Sequence, residues 1–143
     1  MPSLFYSHDI FEALANPRIG IVIFFKRIND LHGHAAGDAV LVGLASLVRG
    51  RLRRLDVLCR VGGEEFVLLL PDTRSAEARL VAEQIPMLVA SEPWPGGPVT
   101  VSAGVSELVP DEPPGVWLRR ADEWLYVAKR EGRNRVMGDG GHA

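Results

Sequence analysis

Residues 57–70 read VLCRVGGEEFVLLL, two short apolar runs held apart by Gly62-Gly63-Glu64-Glu65. Glycine reaches positive φ at no steric cost, so a glycine pair between two such runs predicts a β-hairpin. Pro71-Asp72 closes the unit on its far side. Upstream, residues 19–25 form the compact run IGIVIFF, rich in β-branched side chains, which predicts a strand buried on both faces. Between that strand and the hairpin the pattern predicts a loop holding His32-Gly33-His34 and Gly37-Asp38. A helix over about 39–53 follows, with Leu41, Leu44, Val48 and Leu52 on one face.

Farther out, Phe5, Ile10, Phe11 and Leu14 predict a short amphipathic helix over 4–15. Pro17 ends it, because the residue before a proline is pushed out of helical geometry. Downstream, residues 75–89 predict a helix whose last turn Pro86 kinks or weakens. A proline- and glycine-rich loop over 91–98, a strand over 99–105 and a helix over 117–130 come next, and Arg135-Val136 ends the series as a short strand. Strands alternating with helices around one tight hairpin imply an α/β (α+β) fold, a ferredoxin-like mixed central sheet flanked by helices. No repeat, low-complexity tract or linker divides residues 1–143, so a single domain is expected.

A net charge of −2 gives no basic field of the kind that holds a nucleic-acid polymer, so any nucleotide is expected in a local site. The apolar runs are far shorter than a membrane span. One cysteine, Cys59, excludes an internal disulfide and fits a reducing, cytoplasmic compartment; in a buried strand it is expected to be inert. His32 and His34 alone are a weak metal signal, and Trp94, Trp117 and Trp124 read as packing residues.

Four blocks, in order, carry a resemblance. Phe25-Lys26-Arg27-Ile28-Asn29-Asp30 with Gly33-His34 and Gly37-Asp38 resembles the FKxIND…GHxxGD block of diguanylate cyclases, and Gly62-Gly63-Glu64-Glu65-Phe66 resembles their GGDEF hairpin in its GGEEF spelling. Residues 99–105, VTVSAGV, resemble the next strand of that family. Ala121-Asp122, Leu125-Tyr126, Ala128-Lys129 and Gly132-Arg133-Asn134 resemble its closing block, so the match spans about 19–136. The resemblance implies a nucleotide-cyclase, palm-like fold. It also implies one GTP per domain, and two facing domains in which the 3′-hydroxyl of one nucleotide attacks the α-phosphate of the other. Such chemistry uses magnesium or manganese to neutralise the triphosphate.

On this resemblance Gly62 and Gly63 let the backbone approach the nucleotide, Glu64 ligates metal and Glu65 assists the attack. Without it, the glycines are a plain turn and the glutamates solvation. Asn29 and Asp38 resemble the pair that reads guanine, an apt pairing since a carboxylate accepts from N1–H and N2–H; otherwise they are loop or cap residues. Phe25 and Lys26 belong to the same nucleotide-facing block. Lys129 and Arg133, four apart, resemble a triphosphate clamp if the helix carries both on one face, and otherwise form a solvated basic helix end. Arg53-Arg54-Leu55-Asp56 matches the RxxD inhibitory site at which the product, cyclic di-GMP, binds; an i,i+3 salt bridge is the plainer alternative. A second arginine from the following helix often supports that site, and here Arg79 is the nearest candidate beside Leu80, Gln84 and Pro86.

Two departures weigh on activity. The family strand before FKxIND carries a D-x-D pair whose first aspartate binds metal, but Ile21 and Ile23 stand there, with no carboxylate between Glu12 and Asp30. Magnesium usually takes one or two carboxylates besides phosphates and waters, so the site would keep Glu64 and the carbonyl of Val22 and present apolar surface. The LTxLxNRR segment that precedes this strand in the family is also reduced, to Leu14-Ala15-Asn16-Pro17-Arg18. Three readings stay open: a degenerate domain binding cyclic di-GMP and GTP, a working cyclase, and a ligand-free dimerisation module. A homodimer is expected when nucleotides bridge two subunits.

Overall fold

Neighbouring chain covers both edges and both faces of the first strand. In a computed structural model describing residues 19–27, 33–109 and 111–139, this strand, β1 (Ile19–Arg27), lies at the centre of a sheet. Along the chain follow α1 (Gly33–Arg49), β2 (Val57–Gly62), β3 (Glu65–Leu70), α2 (Ser75–Ala90), β4 (Val99–Glu107), α3 (Pro114–Arg130) and β5 (Val136–Gly138). The strands lie in the order β2-β3-β1-β4-β5. β1 is antiparallel to both β3 and β4, and β5 joins parallel to β4, so the sheet is mixed as expected. The first four strands with α1 and α2 form the ferredoxin-like unit, and α3 and β5 extend it.

Strand alternation divides the core in two. Ile19, Ile21, Ile23 and Phe25 face Val40, Leu41, Leu44 and Val48 of α1 and Ala78, Ala82, Ile85 and Val89 of α2. Val22 faces the other way, with Val57, Cys59, Val67 and Leu69, toward Trp117, Ala121 and Leu125 of α3. Both sets of β1 side chains are buried, which is why residues 19–25 read as an unbroken apolar run. Each fully buried large aliphatic side chain contributes about 1.5–3 kcal/mol.

α3 lies very close to the sheet because of glycine. A Cβ on Gly104 would stand 2.0 Å from the Ala121 carbonyl oxygen and 2.3 Å from the Leu125 nitrogen. Trp117, fully buried, lies against Gly20, and its indole N–H donates to the Ser106 carbonyl at 2.9 Å. Trp94 and Trp124 are likewise packing residues, donating to the Val89 carbonyl and to Asp139.

Several boundaries differ from expectation. α1 takes in Gly33 through Asp38, read from sequence as loop, and ends at Arg49. Packing of its apolar face outweighs the roughly 1 kcal/mol that each helical glycine costs. Leu52 still packs on the core, but from the turn after the helix. α2 runs through Pro86 to Ala90, one residue past the expected end: Ile85 and Val89 on either side of the proline are buried, and the Trp94 indole satisfies the Val89 carbonyl. α3 starts earlier, at Pro114, where a missing N–H costs nothing. The expected helix over 4–15 falls outside the described residues.

Gly104→Ala is expected to cost at least about 3 kcal/mol, the upper end for overpacking, since backbone and not side chain must move. Gly115→Ala meets nothing within 4 Å in an exposed first turn and is expected to stabilise by about 0.5 kcal/mol. Thermal melts of both variants check the pair, and a Gly104→Ala melt within a few degrees of the parent would refute the close-approach account.

Candidate functional site

The hairpin is tighter than its four-residue spelling suggests. Gly62 and Glu65 pair across the strands, with an irregularity between Arg60 and Gly62, so the loop is Gly63-Glu64. Gly63 takes φ +43°, where a side chain would be strained. Two bonds hold this tip: the Arg60 Nε–H donates to the Gly63 carbonyl at 3.0 Å, and the Phe25 N–H to the Glu64 carbonyl at 2.9 Å. The end of β1 is therefore fastened to the loop that carries Glu64.

Glu65, the first residue of β3, is half-buried and pairs with Phe24 of β1. Directly opposed strand residues share a face, here the α3 face. Burial pushes the Glu65 carboxyl above its ordinary range, Asp122 of α3 pushes the same way by like charge, and Lys129 partly offsets both. The Lys129 Nζ stands 3.8 Å above the centre of the Phe24 ring, and the Arg133 guanidinium carbon 5.9 Å from it. Phe25 points to the other face, edge-on to Phe66 at 5.2 Å.

Lys129 and Arg133 come together, but not along one helical face as expected. α3 stops at Arg130; Gly132 and Arg133 take positive φ, and the Arg133 N–H returns to the Ala128 carbonyl at 2.9 Å. This C-terminal turn, fixed to β4 by Asn134, aims Arg133 at Phe24.

Ile21 and Ile23 are 0 % exposed, on the α1–α2 face opposite Glu65. They present no apolar surface to a metal; they are core. Val22 is buried between Val67 and Gly104, so its carbonyl lies within the sheet ladder. The β1 residue opposite Glu65 is Phe24, about 10 Å of extended chain beyond Ile21. Among the described residues no three His, Cys, Asp or Glu side chains gather to hold a metal ion. Glu65 lies opposite an aromatic ring with an ammonium group on it, and this donor set does not fit a divalent cation held between β1 and the hairpin. Lys26 and Asp38 are exposed, while Asn29, and with it the guanine-reading pair, falls outside the described residues.

A second constellation lies at the other end of β2. The Arg53 N–H donates to Asp56 Oδ2 at 2.8 Å; its Nη2 donates to Asp56 Oδ1 at 2.9 Å, to the Pro71 carbonyl at 2.8 Å and to Thr73 Oγ1 at 2.6 Å. The i,i+3 ion pair is thus real, and it is one part of a network that ties the turn after α1 to the turn after β3. Asp56 is only 5 % exposed, and its hydrogen bonds raise the Arg53 pKa. A cavity of about 130 Å³ adjoins, lined by Arg51, Arg53, Asp56, Thr73, Glu77 and Val81 among others. Arg79 is not there: it pairs with Glu83 at 3.2 Å and lines a different cavity with Ser75, Glu107 and Asp139. The nearby guanidinium is that of Arg51, whose Nη2 donates to Gln84 Oε1 at 2.7 Å. Sequence reading missed Thr73, Phe24, Asp122 and Arg51. Phe24 and Asp122 were within reach of strand parity and helix spacing once the register was known, whereas nothing local marks Thr73 or Arg51.

Comparison with known proteins bears out the fold. The family described as "Diguanylate cyclase, GGDEF domain" matches residues 21–135. The chain is similar to the response regulator PleD of Caulobacter vibrioides, 44% identical over 122 residues, covering 80% of this chain and 27% of PleD. It is also similar to diguanylate cyclase DgcM of Escherichia coli, 46% identical over 114 residues, covering 79% of this chain and 28% of DgcM. The chain thus spans under a third of the length of these relatives. Among solved structures, the active GGEEF domain of a Vibrio cholerae diguanylate cyclase superposes with a TM-score of 0.81 at 36% identity, covering 94% of this chain and 91% of that one. The GGDEF domain of DgcB from Caulobacter crescentus, in complex with c-di-GMP, gives 0.79 at 31%, covering 91% and 83%.

The Glu65 environment sets a pH dependence. Its native carboxyl holds a proton to higher pH than the unfolded chain does, so stability falls as pH rises from the ordinary value of 4.5 through the raised one. Glu65→Gln removes that loss. Melts are expected to show the variant more stable than the parent at pH 8 and equal to it at pH 4, and a variant less stable at pH 8 would mean that Lys129 outweighs burial.

Proposed function

The chain belongs to the diguanylate cyclase GGDEF-domain family, and from that premise we propose that within cyclic di-GMP signalling it is a receptor rather than a cyclase. In this reading it binds cyclic di-GMP at Arg53 and Asp56, accommodates GTP at the hairpin, and turns GTP over little or not at all. The observation that carries it is the burial of the two family aspartate positions: Ile21 and Ile23 are both 0 % exposed and supply no carboxylate beside Glu64 and Glu65, and the β1 residue opposite Glu65 is Phe24, with Lys129 and Arg133 near its ring.

The family uses magnesium or manganese, which neutralises phosphate charge when bound. If this aid is worth about 4 kcal/mol, its loss slows the reaction about a thousandfold. What remains suits binding: two cations suspended over an aromatic ring to meet phosphate oxygens, and a glycine turn that admits the backbone to a nucleotide. The similar DgcB domain is described in complex with c-di-GMP, which supports that ligand class for the Arg53 site. Two domains bridged by such a ligand would form a homodimer. The free, buried Cys59 suits the cytoplasm, and no helix among the described residues is long and apolar enough to cross a membrane.

A working cyclase is the second reading, favoured by the intact Gly63-Glu64 turn and its tie to Phe25. Pyrophosphate release from GTP with magnesium or manganese separates the two. The receptor reading expects a rate at least about a thousandfold below that of an active member of the family assayed alongside, and comparable turnover would establish the cyclase. Calorimetric titration with cyclic di-GMP is expected to give saturable binding. No heat and no thermal shift with either nucleotide would leave a ligand-free dimerisation module.

A further inference from the structure

We infer that the hairpin end of the sheet holds a nucleotide's phosphates without a divalent cation, and holds the bare nucleotide at least as tightly as its magnesium complex. The Lys129 ammonium and the Arg133 guanidinium, gathered at Phe24, take the phosphate charge that a metal ion neutralises elsewhere in the family. This deepens the receptor reading and rests on it.

A divalent cation requires oxygen donors, and those at this end are otherwise engaged. Magnesium usually sits on one or two carboxylates together with phosphates and waters. β1 supplies no carboxylate: Ile21 and Ile23 are fully buried on the α1–α2 face, and Phe24 stands opposite Glu65. The backbone oxygens of the turn already accept hydrogen bonds, the Gly63 carbonyl from the Arg60 Nε–H and the Glu64 carbonyl from the Phe25 N–H. Glu65 has the charge of Lys129 set against its own. An arriving cation therefore meets an ammonium group near the carboxylate that it would use, and like charges repel.

Phosphate oxygens meet the opposite conditions. An aromatic ring attracts an ammonium charge through its π face and offers no oxygen acceptor. The N–H donors of Lys129, 3.8 Å above the centre of the Phe24 ring, are not spent on an oxygen there. Arg133 is exposed, and the left-handed turn after α3 brings its guanidinium carbon to 5.9 Å from the same ring. Lys26 and Arg60, also exposed, add positive charge at this end of β1 and of the hairpin. Two long side chains are thus placed before a ligand arrives, which lowers the ordering cost of binding. Magnesium on a triphosphate cancels part of its negative charge and takes oxygens that Lys129 and Arg133 would hold. The metal that assists a cyclase competes with the protein here.

The test is calorimetric titration of α,β-methylene GTP, whose carbon bridge blocks pyrophosphate release, into the parent chain in EDTA and again in excess magnesium. An active member of the family is titrated alongside. The parent is expected to bind in EDTA as tightly as in magnesium or more tightly, while the active member loses affinity without the metal. A fall of more than about threefold in the parent on withholding magnesium would overturn the inference. With no turnover of GTP, that result would leave the receptor reading standing. Lys129→Met, which keeps the apolar stem and loses the charge, is expected to weaken metal-free binding about tenfold. Arg133→Asn, which suits the positive φ at that residue, is expected to weaken it as well, and answers the question should Lys129→Met melt below the parent. Parent-like binding in EDTA by both variants would overturn the assignment of the two cations. A parent chain that binds the analogue in neither condition would overturn the inference and the GTP part of the receptor reading, leaving cyclic di-GMP binding to decide the rest.

Discussion

A strand paired along both edges and covered on both faces has no place for an unpaired charge, and β1 is such a strand. α1 and α2 cover Ile19, Ile21 and Ile23 on one side, and α3 covers Val22 on the other. A lone carboxylate among these side chains would bear a desolvation cost of several kcal/mol. The isoleucines at 21 and 23 are therefore the core of the domain as well as a departure from the family's aspartates. Only where β1 emerges at the hairpin, at Phe24 and Phe25, does it meet the residues of the candidate site.

At that end the electrostatics are inverted relative to a metal site. Glu65 is held partly out of water with Asp122 as a like-charged neighbour, and its relief is the ammonium group of Lys129. The same ammonium lies on the Phe24 ring, an attraction of about 0.5–2 kcal/mol that also positions it. In the receptor reading proposed above, this ammonium stands in for a divalent ion, which would otherwise be the largest local charge. Cations presented this way receive phosphate oxygens, but they offer no open coordination position for a reacting oxygen.

The Arg53 network occupies the opposite end of the β2–β3 hairpin, about 20 Å away along the strand. It fastens two turns that the chain reaches far apart in sequence, after α1 and after β3, so it supports the sheet edge whether or not a ligand is present. The i,i+3 salt bridge is thus one part of a larger clasp, and the binding proposed at Arg53 and Asp56 would use side chains that already hold the fold.

The order of strands and helices, the hairpin and the mixed sheet were legible from apolar runs and glycines, because these reflect local geometry and burial. The sequence likewise determined which chemistry is available: the Gly-Gly-Glu-Glu turn, the basic pair near the C-terminus, the arginine and aspartate at 53 and 56, and the missing aspartates. Tertiary structure decided how they meet. The start of α1 moved because packing outweighs propensity at Gly33. Register, which shifts a side chain to the other face with a slip of one residue, put Phe24 and not Ile21 opposite Glu65. A left-handed turn brought Arg133 to Lys129, and contacts across more than thirty residues put Arg51 rather than Arg79 at the second site. Such partners have no local pattern, since what selects them is the distance between elements after the sheet has closed.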